Sequence, residues 1–329
     1  MNSHENGLGD IKNATAIINP VSSTSNKGQR RLKKLIAASP FPITSTKTSH
    51  FPEKTDAIIR KALEESDLVM FVGGDGTFNR GVHILASNHL SEKARQVPIW
   101  SIGGGNADDG YIAGHTEIYR RHPERVLHGG RIVDVHPIRF DVLEPGDDIE
   151  KSYWAAFYAT MGMTALAASE EYLNNRRYRR HLGRFALGRL IGEPMIVTRA
   201  LVKAGVNNVV QDGVERYFYE EIFANSDRMA KHFHFPTDLT SESVFHMMIE
   251  DKTIGSILPP VWQGKRGRLA GDYLKPGEAM SFDSRQDVYA QFDGESIIIP
   301  SGSGVSVSIN EEPIKVVVTN PKLVNHKAK

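Results

Sequence analysis

The chain has 329 residues, long enough for two domains and a sizeable core. Its 40 basic and 39 acidic side chains leave a net charge of +1, which argues against a general nucleic-acid binder. The absence of cysteine excludes disulfides, thiolate metal sites and a cysteine nucleophile, and fits a reducing, cytoplasmic setting. Met1 to Lys12 are polar, without the apolar segment of a signal peptide, and no apolar run approaches the roughly 18 residues of a membrane-spanning helix.

After a polar tail, 1–13, Ala14–Ile18 reads as a short buried strand that stops at Asn19-Pro20. Val21–Gly28 is a loop by composition, Arg30 to Ala38 a basic amphipathic helix and Pro42–Lys47 a second strand. Thr55–Glu64 has helical spacing through Ala57, Ile58, Ala62 and Leu63. Leu68–Val72 is an unbroken apolar run, a strand buried on both faces, and it ends in the turn Gly73-Gly74-Asp75-Gly76-Thr77. A helix follows, with Phe78, Val82 and Leu85 at i, i+4 and i+7. Val97–Ile102 then runs into a second glycine turn, Gly103-Gly104-Gly105-Asn106. Alternating strands and helices predict an α/β domain of Rossmann-like type with a mostly parallel sheet, over residues 14–134.

From Arg131 the pattern changes. Ile132–Val135, His136–Val142, Tyr153–Ala159, Tyr217–Phe223, Val244–Ile249, Asp287–Phe292, Ser296–Ile299, Val305–Ile309 and Ile314–Val318 read as strands between Gly/Pro/Asp turns. That pattern predicts an antiparallel β-sandwich over residues 135–329. One basic helical stretch interrupts it. Leu173–Leu190 holds six arginines and no acid, and suits equally a solvated helix face or docking on an anionic bilayer.

Strand, glycine turn and helix bring backbone N–H groups and a helix N-terminus up to a phosphate. Two such turns at the C-terminal ends of parallel strands share one rim of the sheet, where ligands of open α/β folds bind. Asp293-Gly294 reads on its own as a two-residue hairpin turn.

Three segments together resemble the diacylglycerol kinase catalytic-domain family of lipid kinases, which includes bacterial lipid kinases and sphingosine and ceramide kinases. They are Ile18-Asn19-Pro20, Gly73-Gly74-Asp75-Gly76-Thr77-Phe78-Asn79 and Phe292-Asp293-Gly294-Glu295, and Gly183 resembles a further glycine of the family. The resemblance implies a two-domain kinase with its active site in the cleft, moving the γ-phosphoryl group of ATP to a lipid hydroxyl with Mg²⁺. It places Asn19, Pro20, Gly73, Gly74, Asp75, Gly76, Thr77, Asn79, Gly103, Gly104, Gly105 and Asn106 against the nucleotide, with Thr77 donating a hydrogen bond. It gives Asp75 the magnesium, Glu295 the role of base and Asp293 that of a supporting carboxylate. The implied partners are ATP and a lipid at a membrane surface, from a cytoplasmic enzyme peripheral on the inner face of the cell membrane; nucleic acid is not among them, and a homodimer stays open.

The chain also departs from the family. Gly104 stands where a Thr or Ser is usual, so backbone N–H groups must serve the phosphate there. Arg80 replaces a frequent Glu and suits either a phosphate partner or a solvated helix charge. Asp108 and Asp109 suit a helix cap better than a metal. Pro236-Thr237-Asp238-Leu239 keeps only a trace of a second metal site, which is not carried over, and His232 and His234 lack a third ligand. Phe157, Met161, Met163, Phe223 and Met247 either line an acceptor cavity or are ordinary core. Two other classes share these features: an NAD kinase-like or phosphofructokinase-like kinase, and a nucleotide- or lipid-binding homologue with weak catalysis.

Overall fold

The structure, a computed structural model, describes residues 8–22, 25–87, 90–104, 109–148, 150–169, 202–229 and 233–319. The arginine-rich stretch Leu173–Leu190, Gly105, Asn106, Asp108 and His232 lie outside them. A six-stranded sheet forms the first layer. It contains β1 (Ala14–Ile18), β2 (Ile43–Lys47), β3 (Val69–Val72), β4 (Ile99–Ser101) and β5 (Arg131–Val135), in the order β2-β1-β3-β4-β20-β5, where β20 (Ile314–Val318) is the last strand described. β20 runs parallel to β4 and antiparallel to β5. The sheet is thus mostly parallel, as expected, but the chain returns to complete it, so the division at residue 134 does not hold for the final strand.

Helices α1 (Ser25–Ala38), α2 (Pro52–Glu65), α3 (Asp75–Ala86), α4 (Glu92–Arg95), α5 (Asp109–Gly114), α6 (Glu117–Arg121) and α7 (Val126–Gly129) connect these strands. β3 shows why an unbroken apolar strand belongs in the middle. Val69 and Phe71 join Ile59 and Leu63 of α2 and Phe78, Val82 and Leu85 of α3 on one face. Met70 and Val72 join Leu32 and Leu35 of α1 on the other. Side chains alternate across a strand, so two covered faces require apolar residues at every position.

Two antiparallel sheets of six strands make the second domain. One holds β6 (Ile138–Leu143), β7 (Lys151–Ala155), β9 (Asn207–Gln211), β10 (Val214–Phe218), β16 (Ala279–Ser284) and β19 (Gly304–Ile309). Its partner holds β8 (Tyr158–Gly162), β11 (Glu220–Ala224), β14 (Val244–Ile249), β15 (Asp272–Leu274), β17 (Val288–Phe292) and β18 (Glu295–Ile299). A short ribbon, β12 (Arg228–Met229) with β13 (Phe233–His234), and the helix α8 (Ile254–Lys265) also belong to it, and residues 163–169 are helical. Phe140, Val305 and Val307 of the first sheet meet Met161, Phe223 and Phe292 of the second in one core. Another core is continuous from α2 and α3 into Phe157, Phe245 and Met247, so apolar packing crosses the domain junction. Phe157, Met161, Phe223 and Met247 are therefore buried core, not a cavity wall.

Two expected strands are each two strands. Tyr217–Phe223 breaks at Tyr219, because β10 and β11 belong to different sheets and the chain crosses between them there. Tyr153–Ala159 breaks at Ala156-Phe157, where backbone amides turn toward Asp293. Helix α8 had no sequence expectation, since Pro259 and Pro260 inside it read as breakers.

Candidate active site

The rim is built from backbone. At the exit of β1 the Asn19 N–H donates to the Val72 carbonyl (2.9 Å), its Nδ2 donates to Thr77 Oγ1 (2.9 Å) and its Oδ1 accepts from the Val21 N–H (3.1 Å). One side chain thus ties the end of β1 to the first turn of α3, while Pro20 is exposed beyond it. Thr77 spends an acceptor lone pair on Asn19, which leaves its O–H to donate. Gly74 is the N-cap of α3, so the N–H groups of its first turn face the rim without a capping side chain.

Close approach explains two of the glycines. A Cβ on Gly73 would stand 2.5 Å from Thr77 Oγ1. Gly104 has φ +150, and a Cβ there would meet the Gly73 carbonyl oxygen at 3.3 Å and its nitrogen at 3.4 Å. The two glycine turns therefore touch, Gly103 preceding the contact with φ 69. The Ser22 hydroxyl donates to the Gly104 carbonyl, bringing a hydroxyl to the rim where Gly104 itself has none.

The second half of the site comes from the hairpin between β17 and β18. Phe292 pairs with Glu295, and the two residues between, Asp293 (φ 45) and Gly294 (φ 91), both have positive φ, the pattern of a type I′ turn. Asp293 is fully buried, and its carboxylate accepts from the backbone N–H groups of Ala156 (2.6 Å), Phe157 (3.1 Å) and Tyr158 (2.9 Å). A carboxylate committed to three amides does not reach the cleft. Asp293, expected as the supporting carboxylate beside Glu295, positions the hairpin on the β7–β8 corner through these three amides.

The hairpin abuts the first turn of α3. A Cβ on Gly294 would lie 3.7 Å from the Gly76 nitrogen, and one on Gly76 would lie 3.4 Å from Glu295 Cγ and 3.8 Å from its Oε1. Asn79 is completely buried and donates from Nδ2 to the Phe292 carbonyl (3.1 Å), locking the two domains together. Glu295 thus sits beside the helix start that carries Asp75, which is itself only 8% exposed. Burial pushes the Glu295 carboxyl above the usual carboxylate range; the nearby Arg80 guanidinium opposes that shift and Asp56 adds to it.

A cavity of about 330 Å³ opens next to Glu295, at the lower end of the roughly 300–1,000 Å³ usual for ligand pockets. Asn79, Arg80, His83, Asp56 and Arg60 supply its polar lining, with Ile84, Phe292 and Ile297 apolar. Arg80 forms a two-pronged pair with Asp56, Nε to Oδ1 at 2.6 Å and Nη2 to Oδ2 at 3.0 Å. Burial lowers the His83 pKa to about 4, helped by the Arg80 charge and opposed by Asp56, so its ring is neutral at pH 7. The ring packs edge-on against Trp154 with centroids 4.7 Å apart. Asp56, Arg60 and His83 carry no motif. Only helical spacing hints at His83, one turn beyond Asn79 on α3.

Among the described residues no group of three or more His, Asp or Glu could hold a metal ion. Mg²⁺ is usually bound through one or two carboxylates, substrate phosphates and water, and Asp75 offers one such carboxylate at the rim.

Residues 13–129 match the family model of the diacylglycerol kinase catalytic domain. The matched segment, a little over a third of the chain, is similar to a diacylglycerol kinase catalytic domain. The three rim segments, from Asn19 through Gly73–Asn79 to Gly103-Gly104, all fall within it. No curated protein matches the sequence. Among solved structures, a diacylglycerol kinase from Bacillus anthracis str. Sterne superposes with a TM-score of 0.61 at 12% identity, covering 95% of this chain and 99% of that one. Yeast NADH kinase complexed with NADH superposes with a TM-score of 0.52 at 9% identity, covering 96% and 87%. At such identities the likeness concerns the two-domain fold. No helix among the described residues is long and apolar enough to cross a membrane.

Proposed function

We propose that the protein is an ATP-dependent lipid kinase that phosphorylates a lipid hydroxyl at a membrane surface. The observation that carries this reading is the placement of Glu295. Its carboxylate lies against Gly76 in the first turn of α3, between the glycine rim and the 330 Å³ cavity. A nucleotide on the rim and an alcohol in the cavity would meet at that carboxylate.

The rim's N–H groups and the start of α3 bind the phosphates, and the missing Cβ atoms at Gly73 and Gly104 give them room. Glu295 accepts the proton of the acceptor hydroxyl as its oxygen bonds to the γ-phosphorus and the bond to the β–γ bridging oxygen breaks, releasing ADP. A carboxyl raised by burial suits a base working near neutral pH, because it holds the proton it takes more firmly than a solvated carboxylate does. Asp75 would hold Mg²⁺, which supplies neutralisation of the phosphate charge when bound. Neutral His83 and the paired Arg80 line the acceptor side without adding net charge to it.

The test is radiolabelled ATP offered with diacylglycerol, a sphingoid base and NAD in parallel. The account expects label in a lipid product. Label in NADP alone, or in no product, overturns it.

A further inference from the structure

Helix α8 has two faces with different surroundings. Its inner face packs on β13, where a Cβ on Gly264 would meet the Phe233 ring at 2.6 Å. The ribbon beneath also touches α5 of the first domain through β12, so the helix rides on an element that spans the domain junction. Thr253 fixes its start, its hydroxyl accepting from the Ser256 N–H. The outer face carries Leu258 and Trp262, one helical turn apart and 58% and 57% exposed, with Pro259 exposed between them.

Between Asp251 and Asp272 the segment that carries this face is one-sided in charge. From Lys252 to Gly271 the chain has four bases, Lys252, Lys265, Arg266 and Arg268, and no acid. The protein as a whole balances 40 bases against 39 acids, so this is a local departure. Lys265, Arg266 and Arg268 are all exposed. The Arg266 guanidinium lies 3.6 Å from the Trp262 ring centroid, which places a cation and an indole in one patch. A basic last turn would by itself complement the helix dipole. That does not account for Arg268 beyond the helix, nor for an apolar pair left in water. Of the three tryptophans, Trp100 is fully buried and Trp154 is 9% exposed; only Trp262 faces out.

We infer that the outer face of α8 is a docking surface for an anionic lipid bilayer, with Leu258 and Trp262 entering the interface and Lys265, Arg266 and Arg268 meeting lipid phosphates. An amphipathic helix with an indole at headgroup depth and cations on its polar side has this chemistry. A protein partner matching so uniformly basic a rim would itself have to be acidic. The surface is independent of the kinase reading, since vesicle binding is measured without turnover.

The full chain would be mixed with phosphatidylcholine vesicles and with phosphatidylcholine–phosphatidylglycerol vesicles, following both co-sedimentation and tryptophan emission. The expected result is binding and a blue shift with the anionic vesicles only, weakened by added salt. Leu258→Ala with Trp262→Ala, and separately Lys265→Glu with Arg266→Glu, are each expected to lower the bound fraction about tenfold while leaving the melting temperature unchanged. No blue shift with anionic vesicles overturns the inference. So does vesicle binding that survives both double variants, which would place the contact elsewhere. A concentration-dependent dimer abolished by Trp262→Ala, without vesicle binding, would assign the face to a second copy of the chain and overturn it equally.

Discussion

The two halves of the cleft are built on opposite rules. The rim of the first domain is made of backbone: Gly73, Gly104 and the start of α3 present N–H groups, and what the sequence supplies there is the absence of side chains. The hairpin of the second domain is made of carboxylates: Asp293 holds three amides and Glu295 faces the cavity. The glycine positions of the rim should therefore be sensitive to added volume, and the hairpin to loss of a carboxylate. Within the hairpin, two acids two positions apart have separate jobs because one is satisfied by the fold and the other is not.

The largest expected effect is at Asp293. Asp293→Ala strands three buried N–H groups, each costing about 1–3 kcal/mol, so a loss of about 3 kcal/mol or more is expected in urea unfolding. Asp293→Asn keeps one acceptor oxygen and should lose less. Equal losses would mean that the carboxylate does not hold the corner.

A titration sharpens the contrast on the acceptor side. The His83 pKa is lowered from 6.5 to about 4, so the unfolded chain takes up a proton below pH 6.5 that the folded chain refuses until about pH 4. The stability that neutral His83 contributes is present above pH 6.5 and is lost as pH falls through that window. Relative to His83→Gln, the wild type should lose roughly 1 kcal/mol per pH unit there, and parallel curves would contradict the burial argument.

On the rim, Gly73→Ala drives a Cβ to 2.5 Å from Thr77 Oγ1. The roughly 1–3 kcal/mol of overpacking should weaken binding of a non-hydrolysable ATP analogue about tenfold or more by calorimetry. Gly76→Ala, whose Cβ would meet Glu295 Cγ at an ordinary 3.4 Å, should have a smaller effect on the same measurement. The reverse order would break the comparison.

Legibility followed the same divide. The rim is readable because its chemistry is local: Leu68–Val72, its glycine turn and the Asn19-Pro20 stop are short contiguous signals. Ile314–Val318 is legible as a strand, but its membership of the first sheet is not, because pairing with β4 and β5 across roughly 180 residues or more leaves no local trace. The hairpin turn at Asp293 is legible in the sequence, but what its carboxylate holds lies some 135 residues away at Ala156–Tyr158. The cavity lining was least legible. Asp56 and Arg80 meet only after α2 and α3 pack, and neither residue type announces the other. Helix α8 was hidden by its own prolines.

The most direct test of the account is phosphoryl transfer by Glu295→Gln under single-turnover conditions, with nucleotide affinity measured on the same protein. Because burial raises the Glu295 pKa, the fold disfavours its charged form, and the substitution should leave stability near neutral pH unchanged or higher. The account predicts unchanged affinity for ATP and a transfer rate lower by about 10²–10⁴-fold. A variant that transfers phosphate to lipid as fast as the wild type would contradict it.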